Sequence, residues 1–490
     1  QGTGSVALGI NAGNITQGTG SIALGNAAGY NTQGTGSVAL GINAGNITQG
    51  AISVAIGSGA GYNAQGAYSV AIGSEAGKTD QGAISVAIGS GAGNNLQGAN
   101  SVAIGSTAGQ ITQGINSVAI GPGAGSINQY QYSVAIGYNA GITDQSKNCV
   151  AIGNAAGSTQ SQNSVAIGYN AGSIHQRENS VAIGIIAGNN KQGDNSVAIG
   201  NSAGETIQGN NGVAIGYSAG YNTQGNGSIA IGQNAGYNTQ GGNSVAMGNG
   251  ACEQGQGAGS VAIGQSACNA GQGEYSVAIG YNTKCQNNSS VALGSGATTT
   301  ADNQIVLGTV TETVLIPGEL DVSNNSLRIT TTDSNCSLLI NEEIGTALTT
   351  TTGSLIISHG DRNGQSSILF PSTRNATDYA AIQYQETDPT DTGDPDNEKG
   401  ILRLICENDA TTNHEDQIRF NTGTSDRMTI GGSGNVGIGT TSPITTLEVV
   451  GDISASSINT SSFSGNPTFN GTVTAVSFNA TSDVRLKENI

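Results

Sequence analysis

Few residues of this 490-residue chain combine a reactive type with a spacing that chemistry could use. His359 and Asp361 stand together in Ser-His-Gly-Asp and suggest two members of a hydrolytic triad, but no nucleophile elbow accompanies them, so no triad is expected. The run from Glu386 to Glu398, ETDPTDTGDPDNE, carries six carboxylates that could wrap a calcium ion. It lacks the glycine and closing glutamate of an EF-hand loop, and a solvated hairpin tip is the preferred reading. Cys252 and Cys268 are sixteen residues apart. That spacing allows a disulfide, with two small buried thiols the preferred alternative. Cys149, Cys285, Cys336 and Cys406 have no evident partner. His175 and His414 are isolated, and three histidines in all give no metal site. No cofactor is expected.

Composition narrows what such residues could serve. The chain holds 79 Gly, no Trp, 4% aromatic and 9% charged residues. Its net charge of −18 opposes a nucleic-acid footprint, which needs clustered Lys and Arg. No stretch reaches the roughly 18 apolar residues of a spanning helix, so membrane insertion is not expected. Six cysteines are too few for a disulfide scaffold of this length. Gln1 falls inside a repeat, which reads as a cut rather than a natural start.

The elements that dominate the chain come from repetition. The residue preceding each Val/Ile-Ala-Ile/Leu/Met-Gly recurs at 5, 21, 37, 53, 69, 85, 101, 117, 133 and 149, a period of 16. The phase slips by one to Ser164, resumes to Ser276, and shortens to 14 at Ser290 and Gln304, giving twenty coils. A short fixed period with one strand per copy is the signature of a solenoid, whose single copy can bury nothing by itself. Val and Ile at alternate positions share one side of a strand, so Val54 with Ile56, or Val70 with Ile72, are expected inside the roll. Ala55 and Ala71 then face outward, a small-residue ladder suited to close approach of another chain. The Gly after each strand and the Ala-Gly pair that follows are corners. The Asn-x-x-Gln-Gly stretches make the outer turn, with Asn and Gln hydrogen-bonded to their copies above and below. At the usual strand spacing, twenty coils make a rod about 95 Å long.

Past Gly308 the composition changes. Residues 1–308 hold 5 Lys+Arg and 9 Asp+Glu, whereas 309–490 hold 9 and 23. Short alternating runs such as SSILFP, YAAIQYQ and GILRLICEN, split by turn residues, indicate a small antiparallel sandwich or knob over 325–430. Residues 309–324 form the linker into it.

Three stretches resemble known families. Ser-Val-Ala-Ile-Gly-x-x-Ala at short period, closed by Thr299 to Gly308 (TTADNQIVLG), resembles the head of YadA-like trimeric autotransporter adhesins, which implies a left-handed parallel β-roll assembled as a trimer. The period here is 16 against about 14 in that family. Gly434 to Ser454, GNVGIGTTSPITTLEVVGDIS, is similar to the signature of phage and large-virus fibres, which implies an intertwined trimeric shaft over 431–481. Ser482 to Ile490, SDVRLKENI, resembles the opening of the endosialidase-type intramolecular chaperone, which trimerises and is released by self-cleavage. By that resemblance Ser482 attacks the bond joining it to Thr481, and Lys487 is the general base. A serine needs such a neighbour to take its proton, and a desolvated lysine can.

The expected architecture is therefore all-β: a trimeric parallel β-roll of 16-residue coils over 1–308, a small sandwich or knob, an intertwined shaft, and the start of a chaperone over 482–490. The expected function is a structural homotrimeric fibre on the surface of a virus or phage particle. It would act as spacer and host-attachment element, with a host-surface glycan or protein receptor and virion base or tail proteins as partners. Enzymatic activity is not expected apart from self-cleavage. An enzymatic tailspike cleaving surface glycans and a bacterial trimeric adhesin are the alternatives.

Overall fold

The computed structural model describes residues 1–309, 311–317, 365–371, 379–387, 399–407, 416–422 and 424–451. The chain divides into two units, Gln1–Asp321 and Val322–Ile490. Within the described residues the secondary structure is all β.

The first unit is a parallel β-solenoid. Its first sheet has 20 strands, one per coil, from Val6–Leu8 to Ile305–Leu307. Copies pair in strict register, as in Val54↔Val70, Ala55↔Ala71 and Ile56↔Ile72. A second sheet of 15 strands runs from Thr16–Gln17 to Thr239–Gln240 and continues as single bridges through Gln256 and Gln272. The coil count and the strand positions agree with the repeat.

The facing of the first sheet is the reverse of the expectation. Ala55 and Ala71 are fully buried, while Val54 and Ile56 point outward and are half-buried or exposed. The reason is width. Each coil closes around a core of Ser, Ala, Gly and Gln, so thin that one glutamine side chain spans it: Gln49 Nε2 donates to the Val38 carbonyl at 2.7 Å. Alanine fills the inner row in nineteen of the twenty first-sheet strands, and only the last coil places a larger residue there, Val306.

The glutamines correct a second expectation. Gln17 to Gln272 recur in seventeen successive coils, and they lie in the core rather than in an outer turn. Each crosses to a first-sheet carbonyl, and many also donate to the glutamine one coil on, as in Gln113 Nε2 to Gln129 Oε1 at 3.1 Å. These rungs run unbroken from Gln81 to Gln208. The expected stacking of amides is thus present, with glutamine inside. Outside, Asn148, Asn163, Asn179 and Asn195 form a similar ladder at 3.0–3.2 Å. The corner serine, such as Ser37, donates to the carbonyl three residues back at 2.7 Å.

Glycine corners follow the sequence reading. Gly109 has φ +54°, and a Cβ there would lie 2.8 Å from Gln113 Oε1. Gly105 has φ +127°, and its Cβ would meet the Gly121 backbone of the next coil at 2.6 Å. The one-residue slip is absorbed without breaking either sheet, since Val150 pairs with Val165 and Gln145 with Gln160.

The second unit holds two small sheets. Gln365–Pro371, Tyr379–Thr387 and Lys399–Glu407 form an antiparallel three-stranded sheet. Gln417–Thr422, Ser425–Gly431, Val436–Ile438 and Leu447–Val449 form a four-stranded one, antiparallel except for its last pair. In the latter, the loop between Ile438 and Leu447 folds back, so that Asn435 Nδ2 donates to the Pro443 carbonyl at 3.1 Å.

Candidate functional site

The sequence-derived site residues scatter. Ser482 and Lys487 lie outside the described residues, as do His359, Asp361, His414 and Cys336. The acidic run begins on the strand Tyr379–Thr387, and its remaining residues to Glu398 are likewise outside. Among the described residues no group of three or more His, Cys, Asp or Glu could hold a metal ion, and no helix is long and apolar enough to cross a membrane.

The cysteines gather at the far end of the solenoid. Cys252 and Cys268 take the Ala-Gly glycine slot, each at φ 47°, and Cys285 takes the slot of the core glutamine. All three are buried and free, so the thiol reading of Cys252 and Cys268 holds and the disulfide does not. Cys252 Sγ donates to Gln272 Oε1 at 3.0 Å, and the Cys285 N–H donates to Cys268 Sγ at 2.8 Å. Burial pushes the Cys252 thiol up, and Cys149 likewise. The hydrogen bond between the Cys268 and Cys285 thiols, ahead of burial, raises Cys268, and the same bond lowers Cys285. Buried thiols held protonated are poor nucleophiles, so Cys252 and Cys268 act as packing.

A groove on the outer face of the second sheet is the better candidate. In most coils the core glutamine is followed by glycine, stacked so tightly that a Cβ on Gly98 would lie 2.6 Å from the Gly114 backbone. Four successive coils break this rule, with Tyr130, Ser146, Ser161 and Arg177 in the glycine slot. The coil-to-coil hydrogen bond from that slot is 2.9 Å at Tyr130, 3.0 Å at Ser146, 2.9 Å at Ser161 and 3.2 Å at Arg177, against 2.7–3.0 Å where the slot is glycine, so only Arg177 lies outside the glycine range. A hollow lined by Ser161, His175, Arg177, Lys191, Asn210 and Asn226 occupies this stretch. A shallower one, holding Tyr130 and Lys147, lies beside it.

Charge gathers in the same place. Residues 1–308 contain five Lys and Arg and one His, of which Lys147, His175, Arg177 and Lys191 all line these two hollows. His175 and Lys191 hold the middle positions of adjacent second-sheet strands, Ile174–Gln176 and Asn190–Gln192, and both are exposed. The Arg177 guanidinium is 3.6 Å from the Asp194 carboxylate, a solvent-exposed pair of small energetic weight. Of these residues the sequence reading singled out only His175, as an isolated histidine. The signals that could have found the site were the lost glycines after Gln129, Gln145, Gln160 and Gln176, coinciding with the only dense basic stretch of the array.

Comparison with known proteins bears on the array. The family described as YadA head domain repeat (2 copies) matches residues 147–171, 192–203 and 286–309. Two of these stretches include the shortened coils, the 15-residue step from Cys149 and the 14-residue step from Ser290, where the period comes nearest to about 14 residues. No curated protein matches the chain. The array therefore carries YadA head repeats on a parallel β-solenoid, consistent with a trimeric, adhesin-like fibre.

Proposed function

We propose that this chain is a structural homotrimeric fibre protein of a virus or phage particle, exposed at the virion surface as spacer and host-attachment element. The observation that carries the self-association is the outward face of the first sheet. Val or Ile, together with Ile, Leu or Met, project from each of twenty rungs, leaving Ile56, Ile120, Ile199, Ile263 and Ile279 36–39% exposed. A continuous exposed aliphatic strip of this length marks an interface, because a single chain gains nothing by wetting it. In the second unit, Ile368, Ile382 and Leu404 share one face of the three-stranded sheet by register, and all are exposed, which suits the same use. Three copies presenting one weak site each bind a surface more tightly than one copy does.

The particle context rests on the resemblances of Gly434 to Ser454 to virus fibre shafts and of Ser482 to Ile490 to the self-cleaving chaperone. In that reading the shaft strands of three chains intertwine, Ser482 attacks the Thr481–Ser482 bond with Lys487 as base, and virion base or tail proteins hold the fibre. The YadA head repeats favour a second reading, a bacterial trimeric adhesin, which leaves the SDVRLKENI string without a role.

The solution mass of the purified chain decides the assembly. A mass of three chains is expected, falling to that of one chain with retained β signal in an Ile104→Lys, Ile136→Lys variant. A single-chain mass for the unaltered protein overturns the trimer. A trimer that survives both lysines overturns the assignment of this face. For the particle reading, Ser482→Ala in the full-length product is expected to leave the Thr481–Ser482 bond intact. Cleavage at that bond despite the substitution, or no cleavage in the unaltered product, refutes the chaperone assignment.

A further inference from the structure

We propose that the second-sheet groove between Tyr130 and Asn226 binds an acidic oligosaccharide, its carboxylate or sulfate groups held by Arg177, Lys191 and Lys147. Three independent features converge there. The glycine slot of the repeat is abandoned in four successive coils, and the two hollows lie on the surface that those side chains line. The cations of a strongly acidic chain are concentrated on that one surface. The remaining lining mixes hydroxyl and amide groups, from Ser161, Asn210 and Asn226, with the apolar side chains Ile115 and Ile207 and with Tyr130, 45% exposed at one end.

Each feature selects part of the ligand. Hydroxyls and amides match the paired donors and acceptors of sugar rings, and an exposed tyrosine ring offers a stacking face for sugar C–H groups. Guanidinium and ammonium groups select carboxylate or sulfate. From Gln129 to Gln224 the surface spans six coil steps, about 29 Å at the usual strand spacing, a length for a chain of sugars rather than a lone ion. A nucleic acid is disfavoured because four basic side chains make a short phosphate track and the single exposed tyrosine offers only one platform for base stacking. The groove lies on the second sheet, away from the aliphatic first-sheet face that the trimer covers. The inference rests on the fibre reading only for that exposure and for the source of the saccharide.

Calorimetric titration of the purified full chain tests it, with a sulfated and a uronate oligosaccharide, neutral dextran, inorganic sulfate and a single-stranded DNA oligomer as probes. Binding of the two acidic oligosaccharides is expected, with none of dextran, and it should weaken as salt rises. Arg177→Gln with Lys191→Gln should lower affinity at least about tenfold, since each removes a charged hydrogen-bond donor. Lys78→Gln with Lys284→Gln, elsewhere on the array, should leave it unchanged. Tyr130→Ala should weaken the oligosaccharides but not inorganic sulfate, which separates a saccharide site from an ion site. No binding of either acidic oligosaccharide, equal affinity in the double variant, or tighter binding of DNA overturns the proposal. Solution mass on the same samples keeps the two readings apart: binding by a single chain refutes the trimer alone, and a trimer that fails to bind refutes the groove alone.

Discussion

At the scale of single residues, the solenoid is held by a polar spine. Each core glutamine gives one amide hydrogen to a first-sheet carbonyl and, where the ladder is continuous, the other to the next coil's Oε1. The direction of donation leaves the acceptor at the head of each run unmatched, and Gln81 and Gln240 Oε1 are indeed buried without a donor. Such an orphan costs about 1–3 kcal/mol, so long runs are favoured because they contain few heads. Ile52, Ile84 and Ile186 sit at φ 54–58°, a left-handed conformation that costs a β-branched residue about 1–2 kcal/mol. The stacked neighbours on both sides enforce it. Gln113→Leu is predicted to open the ladder in its middle. It removes the donor to the Val102 carbonyl and creates a new orphan at Gln129 Oε1, at a cost of about 1–3 kcal/mol. Because a repeat array loosens locally, the loss should show as faster amide hydrogen exchange in the coils on either side of Gln113, with distant coils unchanged. Unchanged protection there would deny the amides any structural weight.

At the scale of the element, what the sequence discloses and what it hides have physical causes. Strand positions, coil count and the corner glycines were legible because each follows from local spacing: Val-Ala-Ile recurs at a fixed step, and only glycine tolerates the backbone approach at Gly105. The facing of the strand was not. Alternation says that Val54 and Ile56 share a side, but it does not say which side is interior. The usual preference for burying the larger aliphatic residue assumes two sheets about 10 Å apart. Here the sheets are closer, and alanine wins the inner row while valine and isoleucine are left for another surface to cover. The glutamine was misplaced for a similar reason, since polarity normally points outward. Its constancy was the clue: seventeen coils keep Gln while the preceding residue changes among Thr, Ala, Asp, Leu, Asn, His, Lys, Ile and Gly. A position that never varies beside one that varies freely is in a fixed environment. The groove was hidden because Arg177 and Lys191 are fourteen residues apart and become neighbours only when coils stack.

At the scale of the whole molecule, a solenoid is close to one-dimensional, and its stability is a sum of coils and of interfaces between adjacent coils. Removing one complete coil should then cost one such increment and leave every remaining contact equivalent. The chain already contains a milder version of this edit at Cys149 to Ser164, where a residue is missing and both sheets continue. Deleting Ser101 to Asn116 would join Asn100 to Ser117 and place Val86 beside Val118, Ala87 beside Ala119 and Gln97 beside Gln129, each pair chemically the same as the one replaced. The predicted product folds with an unaltered β spectrum per residue and is about 4.8 Å shorter by small-angle scattering. Deleting only Ser101 to Ala108 should do the opposite, because it sets first-sheet residues against second-sheet slots and drives Val and Ile into a core one glutamine wide. That variant should aggregate or lose the protection of its flanking coils. If the two deletions are equally damaging, stability does not reside in the coil-to-coil register, and the rod is stabilised by something other than its own repetition.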